Sequence, residues 1–124
     1  AYSKALEWSR KDDEFVKRAG FVMMAVLAVH DKESDDSMFL RFLPLIVRGS
    51  DDQRNFVKKA VNWALRQIGK RSLRLNRNAM ETAKKIQDRG TRSARWIASD
   101  ALRELNSKAV QDKVQAKREK KSRR

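Results

Sequence analysis

Apolar residues recur along this chain at the three- and four-residue steps of helices that cover a core with one side. The pattern is fullest in NFVKKAVNWALRQIGKR, residues 55–71, where Val57, Ala60, Val61, Ala64, Leu65 and Ile68 make one apolar stripe. A helix is predicted there, with Asp51 or Asp52 as its N-terminal cap. Along its opposite edge Lys59, Trp63, Arg66 and Lys70 follow at steps of four, three and four, so an indole shares a row with three cations. The row is expected to be exposed; the plainer alternative is a core-edge tryptophan among ordinary solvated lysines.

Five further stretches read as helical. AYSKALEWSRK resembles the end of a helix already under way. Asp12 and Asp13 cap a helix over roughly 14 to 30, apolar nearly all round from Phe15 to Val29 and therefore expected to be buried on several sides. Within it Gly20 admits a close neighbour, and His30 sits at the C-terminal end, where the helix dipole favours a cation. Lys17 and Arg18 in its first turn oppose that dipole and call for an anion, which Asp13 and Glu14 can supply. SMFLRFLPLIVRG follows Ser34, Asp35 and Asp36, ends at Gly49, and should be bent or divided by Pro44. After Ser72 a helix with Asn76 as candidate cap runs to Gly90. The next, from about Arg92 to Leu105, puts Arg92, Trp96, Ser99 and Arg103 in one row. Residues 1–107 are taken as one domain; the basic tail, 108–124, has few apolar positions and is expected to fray or be disordered in isolation.

An internal repeat sets the predicted architecture. DDEFVKRA at 12–19 returns as DDQRNFVKKA at 51–60, so that Phe15 to Ala19 map onto Phe56 to Ala60 at an offset of 41. ALRQI at 64–68 returns as ALREL at 101–105, an offset of 37. Helix pairs at a period near forty characterise HEAT and armadillo arrays, and the fold expected is an all-α, α-α superhelix of HEAT-like helical repeats. Stacking would set the cations at 17 and 18, 58 and 59, and 92 and 95 side by side as one basic strip on the concave surface.

Composition narrows the chemistry. With 124 residues, 40% of them hydrophobic, the chain can bury one modest core. It has no cysteine and one histidine, so disulfides, thiolate metal sites, histidine zinc sites and Ser-His-Asp catalysis all lack their parts, and no metal or cofactor is expected. The longest apolar run, Phe21 to Val29, is about half a bilayer span. No signal peptide is visible, which leads to the expectation of a cytoplasmic protein without a membrane partner. The net charge of +14 is unevenly spread. Residues 1–50 balance eight basic against eight acidic side chains, residues 51–107 hold fourteen against six, and residues 108–124 hold eight against two. A basic half joined to a neutral half is the footprint of a polyanion-binding face. The basic helices offer no large exposed Leu or Phe face to insert into lipid, which sets nucleic acid ahead of a membrane surface.

KRAGFVMMAVLA, FVKKAVNWALRQIGKR and ARWIASDALREL together resemble the C-terminal half of the AlkD-type DNA alkylation repair enzymes, over residues 3 to about 107. That resemblance implies glycosylases of HEAT-like repeats; a monomer is expected. Such enzymes grip double-stranded, alkylated DNA in a concave basic face and release cationic N-alkylated purines such as 3-methyladenine and 7-methylguanine, without drawing the base into a pocket. It further implies that Arg18 holds backbone phosphate beside the lesion and that Trp63 lies against the lesion's deoxyribose. Lys59, Arg66 and Lys70 are phosphate-binding candidates from the helical row alone. The family's catalytic aspartate and a second aromatic residue near it match no position of this chain, so the chain is expected to grip DNA and to be inactive alone. The competing readings are a non-catalytic nucleic-acid module and a HEAT-type protein-binding scaffold. Ion pairs burying Lys59, Arg66 and Lys70 would favour the scaffold.

Overall fold

The computed structural model describes residues 1–123. They form eight helices: α1 (Tyr2–Ser9), α2 (Glu14–His30), α3 (Asp36–Leu40), α4 (Leu43–Gly49), α5 (Asn55–Gly69), α6 (Leu73–Asp88), α7 (Arg92–Leu105) and α8 (Lys108–Ser122). The fold is all-α and built of packed helix pairs, as the repeat predicts. Helices α2, α5 and α7 lie side by side in one row, while α1, α4 and α6 pack behind them.

Local chemistry explains most boundaries. The Asp13 carboxylate accepts from the backbone N–H groups of Phe15 and Val16, both at 3.0 Å, and so starts α2. Gly20 lets α1 cross α2 closely, since a Cβ there would lie 2.4 Å from the Ser9 nitrogen. The segment around Pro44 is divided into α3 and α4, with Pro44 in the first turn of α4, where a missing N–H leaves no helical bond unmade. Thr91 caps α7 at Ala94 N, and Gly90, at φ 78°, makes the left-handed turn that separates it from α6.

Two capping expectations are corrected. The N-cap of α5 is Arg54, with no side-chain cap. Two residues more than in the first repeat copy separate the acidic pair from the helix, and the Asp52 carboxylate reaches only to Arg54, accepting from its N at 3.0 Å. The cap of α6 is Ser72, whose Oγ accepts from Leu75 N at 3.1 Å. Asn76 lies one turn inside that helix, buried, and its Nδ2 donates to the carbonyls of Gly69 (2.9 Å) and Leu105 (3.3 Å), tying together the C-terminal ends of α5 and α7. Helix α2 packs against both α1 and α5, as expected, and buries Phe21, Met24, Ala25 and Ala28, while Phe15 is 73% and Val26 40% exposed.

The tail is helical. Ser107 caps α8, Val110 and Val114 are buried against the rest of the molecule, and Gln111 Nε2 donates to Asn76 Oδ1 (3.1 Å) and to the Leu105 carbonyl (2.8 Å). Two buried valines one turn apart, with hydrogen bonds from Gln111 and Lys117, dock a helix whose composition alone predicts fraying. No helix is long and apolar enough to cross a membrane among the described residues.

Candidate nucleic-acid interface

The outer face of the α2–α5–α7 row carries what the repeat places there: aromatic rings flanked by cations. Phe15 on α2 and its repeat equivalent Phe56 on α5 are both exposed, Phe56 at 57%, and Trp96 on α7 is 40% exposed. The Arg18 guanidinium lies over the Phe56 ring, 5.6 Å from its centre, and Lys58 Nζ lies 4.9 Å from the centre of the Trp96 ring. Each contact spans neighbouring helices and is worth about 0.5–1 kcal/mol at an exposed site. Beside Trp96, a shallow cleft of about 310 Å³ is lined by Gln53, Lys58, Arg92 and Ser93. Exposed rings beside cations are an arrangement that suits the bases and backbone of nucleic acid.

A tie at the helix N-termini sets the spacing of this face. The Asp52 carboxylate receives Lys17 of α2 at 2.9 Å and the guanidinium of Arg54 at 2.8 and 3.0 Å, and Ser93 Oγ of α7 donates to the Asp52 carbonyl at 2.8 Å. Next to it Asp51 accepts from Arg89 (2.6 Å) and Thr91 Oγ1 (3.1 Å). The Arg54 hydrogen bonds, aided by Lys17, outweigh burial and hold the Asp52 carboxyl far below the ordinary carboxylate range. Lys17 is thereby withdrawn from the predicted strip, which is left to Arg18, Lys58, Lys59, Arg92 and Arg95.

The residues singled out by sequence separate into two groups. Arg18 and Lys59 are exposed and have no ion-pair partner among the described residues. Trp63 is half-buried, with part of its ring packed on the core. Arg66 and Lys70 are occupied: both bind Glu104 of α7, Arg66 at 2.9 Å, and Arg66 also donates to Asn62 Oδ1 at 2.8 Å. Burial raises the Glu104 pKa, but the two cations prevail and the carboxyl titrates below its usual value. Asp100 stands 3.8 Å from Arg66 and 3.7 Å from Arg103. Asp52, Asp100 and Glu104 are thus engaged with cations, whereas Asp12 and Glu14 at the start of α2 form no ion pair among the described residues. No group of three or more His, Cys, Asp or Glu residues is placed to hold a metal ion among the described residues.

Lys58 was placed in the predicted strip and Trp96 in a helical row, but the pairing of Lys58 with Trp96 and of Arg18 with Phe56 across helices was not foreseen. The signal was present in the repeat, where Phe15 and Phe56 both precede a pair of cations by one apolar residue.

The family model of the DNA alkylation repair enzymes matches residues 1–105. The chain belongs to the DNA alkylation repair enzyme family. No curated protein and no solved structure matches it. In this DNA alkylation repair family member the match spans α1 to α7 and stops at the last residue of α7, so the whole aromatic and basic face lies within it and α8 lies beyond.

Proposed function

We propose that this chain is the DNA-gripping part of an AlkD-type alkylpurine glycosylase, acting on double-stranded DNA that carries cationic N-alkylated purines such as 3-methyladenine and 7-methylguanine. The observation that carries the reading is the α2–α5–α7 face, with exposed rings and unpaired cations, in a chain matched by the repair family over residues 1–105. Arg18 and Lys59 bind backbone phosphate, and Trp63 offers its free edge to the deoxyribose. Phe56 and Trp96 add stacking surface. The carboxylate that would stabilise the positive sugar as the glycosidic bond breaks is assigned outside this chain, because Asp52, Asp100 and Glu104 already face cations.

The deciding experiment follows free base released from methylated duplex DNA, comparing this chain with a version extended by whatever further sequence its gene encodes. Release by the extended version alone, with salt-dependent DNA binding by both, is expected. Salt-dependent binding with release by neither would leave a non-catalytic nucleic-acid module. A second reading, a protein-binding scaffold, is favoured by the closure of Arg66 and Lys70 on Glu104 and by the exposed apolar side chains of Phe15 and Val26. Absence of salt-dependent DNA binding would select it.

A further inference from the structure

A second basic feature lies at the other end of α5, away from Lys58 and Lys59. It is an open recess of about 990 Å³ between α8, the first turns of α6 and the segment that joins α2 to α3. Helix α8 supplies Lys113, Lys117, Arg118 and Lys121, α6 supplies Arg74 and Arg77, and Lys32 faces them from the opposite wall. The two acids in the lining are spent locally. Asp36 accepts from Ser72 Oγ at 2.7 Å and lies 3.4 Å from Arg71 Nε, while Asp35 caps α3. Arg71, 9% exposed, donates to the carbonyls of Asp31 and Ser34 and packs its guanidinium 4.1 Å from the centre of the Phe39 ring. Lys117 closes the floor, its Nζ donating to the carbonyls of Lys70 (3.0 Å) and Arg71 (3.3 Å) at the C-terminal end of α5. Lys32, Arg74, Arg77, Lys113, Arg118 and Lys121 have no ion-pair partner among the described residues.

These cations converge. Burial and then the nearby charges of Lys113, Lys32 and Arg71 push the Lys117 pKa below that of an ordinary lysine. Like charges gathered in a concavity repel one another, and an anion entering it relieves that cost. The form of the recess narrows the class of anion. None of the large exposed apolar side chains lines it, and a flat bilayer does not enter a concavity. Lys113, Lys117 and Lys121 advance along α8 by about 6 Å per four-residue step, which spreads charge over about 12 Å and suits a chain of phosphates better than one.

We propose that this recess is a second binding site for a chain of phosphates, completed by α8 and separate from the aromatic face. It takes a stretch of nucleic-acid backbone beyond the stretch held at Arg18 and Lys59. Only the identity of the strand rests on the DNA reading above; free polyphosphate carries the same chemistry.

The test compares wild type with Lys113→Gln/Arg118→Gln/Lys121→Gln, whose glutamines retain helix propensity, and with Lys59→Gln on the other face. For a labelled 20-base-pair duplex, the dependence of log affinity on log salt is expected to weaken by roughly two to three units in the triple variant and by roughly one in Lys59→Gln. A wild-type slope in the triple variant overturns the proposal. If circular dichroism shows that the triple variant has lost helix, Arg74→Gln/Arg77→Gln on the opposite wall replaces it, with a loss of roughly two units expected and an unchanged slope again overturning the site. Tripolyphosphate titrated into the same proteins separates the two readings. Binding that the triple variant loses and Lys59→Gln keeps sustains the recess even where wild type ignores the duplex. Equal binding by wild type and triple variant, or none by either, overturns it.

Discussion

Lys59 and Lys70 sit on the same helical row and differ in one respect: Lys70 has a carboxylate and Lys59 has none. A cation already paired releases fewer counterions when it meets phosphate. Lys59→Gln is therefore expected to lower the salt slope of DNA binding by about one unit, and Lys70→Gln to leave it nearly unchanged. Titrations at several salt concentrations check both. Glu104→Gln is expected to act in the opposite sense, freeing Arg66 and Lys70, tightening DNA binding and steepening the slope, at a stability cost of about 1 kcal/mol that thermal melting reads. The row itself was legible from residue spacing, and so was the exposure of Lys59. The occupation of Arg66 and Lys70 was not, because helical periodicity reports which side chains share a face and nothing of an acid 34 to 38 residues away on another helix. Trp63 illustrates the same limit, for a row position does not say how far a neighbouring helix covers the ring.

Among the elements, α2 and α7 were read with their bounds nearly intact, since each starts at a competent cap and carries a regular apolar stripe. The caps of α5 and α6 were misplaced where acidic or amide side chains serve tertiary contacts instead, Asp52 bridging to α2 and Asn76 bridging α5 and α7. Helix α8 was underestimated because two buried valines are a weak signal in a charged segment, while their partner surface is visible only after folding. Val114→Ala is expected to destabilise the docking of α8 by about 1–2 kcal/mol, seen as faster amide exchange in α8 than in α6. Gly20→Ala tests the α1–α2 crossing. The added methyl meets backbone 2.4 Å away, which cannot rotate aside, and a loss of about 1–3 kcal/mol is expected in denaturant titrations.

For the molecule as a whole, several carboxylates are held in the charged form by the fold. Hydrogen bonds from Ser34, then Tyr2, lower Asp31 to about 2, and Asp52 and Glu104 are lowered as well. A carboxylate whose folded pKa lies below its unfolded value adds stability above the unfolded value, near pH 4, and that stability is lost as the pH falls through the folded pKa. The melting temperature is therefore expected to hold level above about pH 5 and to drop steadily toward pH 2. Asp52→Asn should cost about 2 kcal/mol of stability on that plateau, lowering its melting temperature, and flatten the acid limb. A limb as steep as that of wild type would show that Asp52 contributes little to it.

If the aromatic face grips DNA as proposed, the tie at Asp51 and Asp52 governs how it does so. It fastens the starts of α2, α5 and α7 at one place, close to Arg18, Lys58 and Arg92. The face is in effect a ruler whose divisions are fixed by a buried acid that touches no ligand. Loosening that acid leaves every contacting side chain present yet removes the fixed pitch between them. On the proposed reading, a phosphate backbone of set repeat would then lose register with its cations, and affinity would fall through geometry alone.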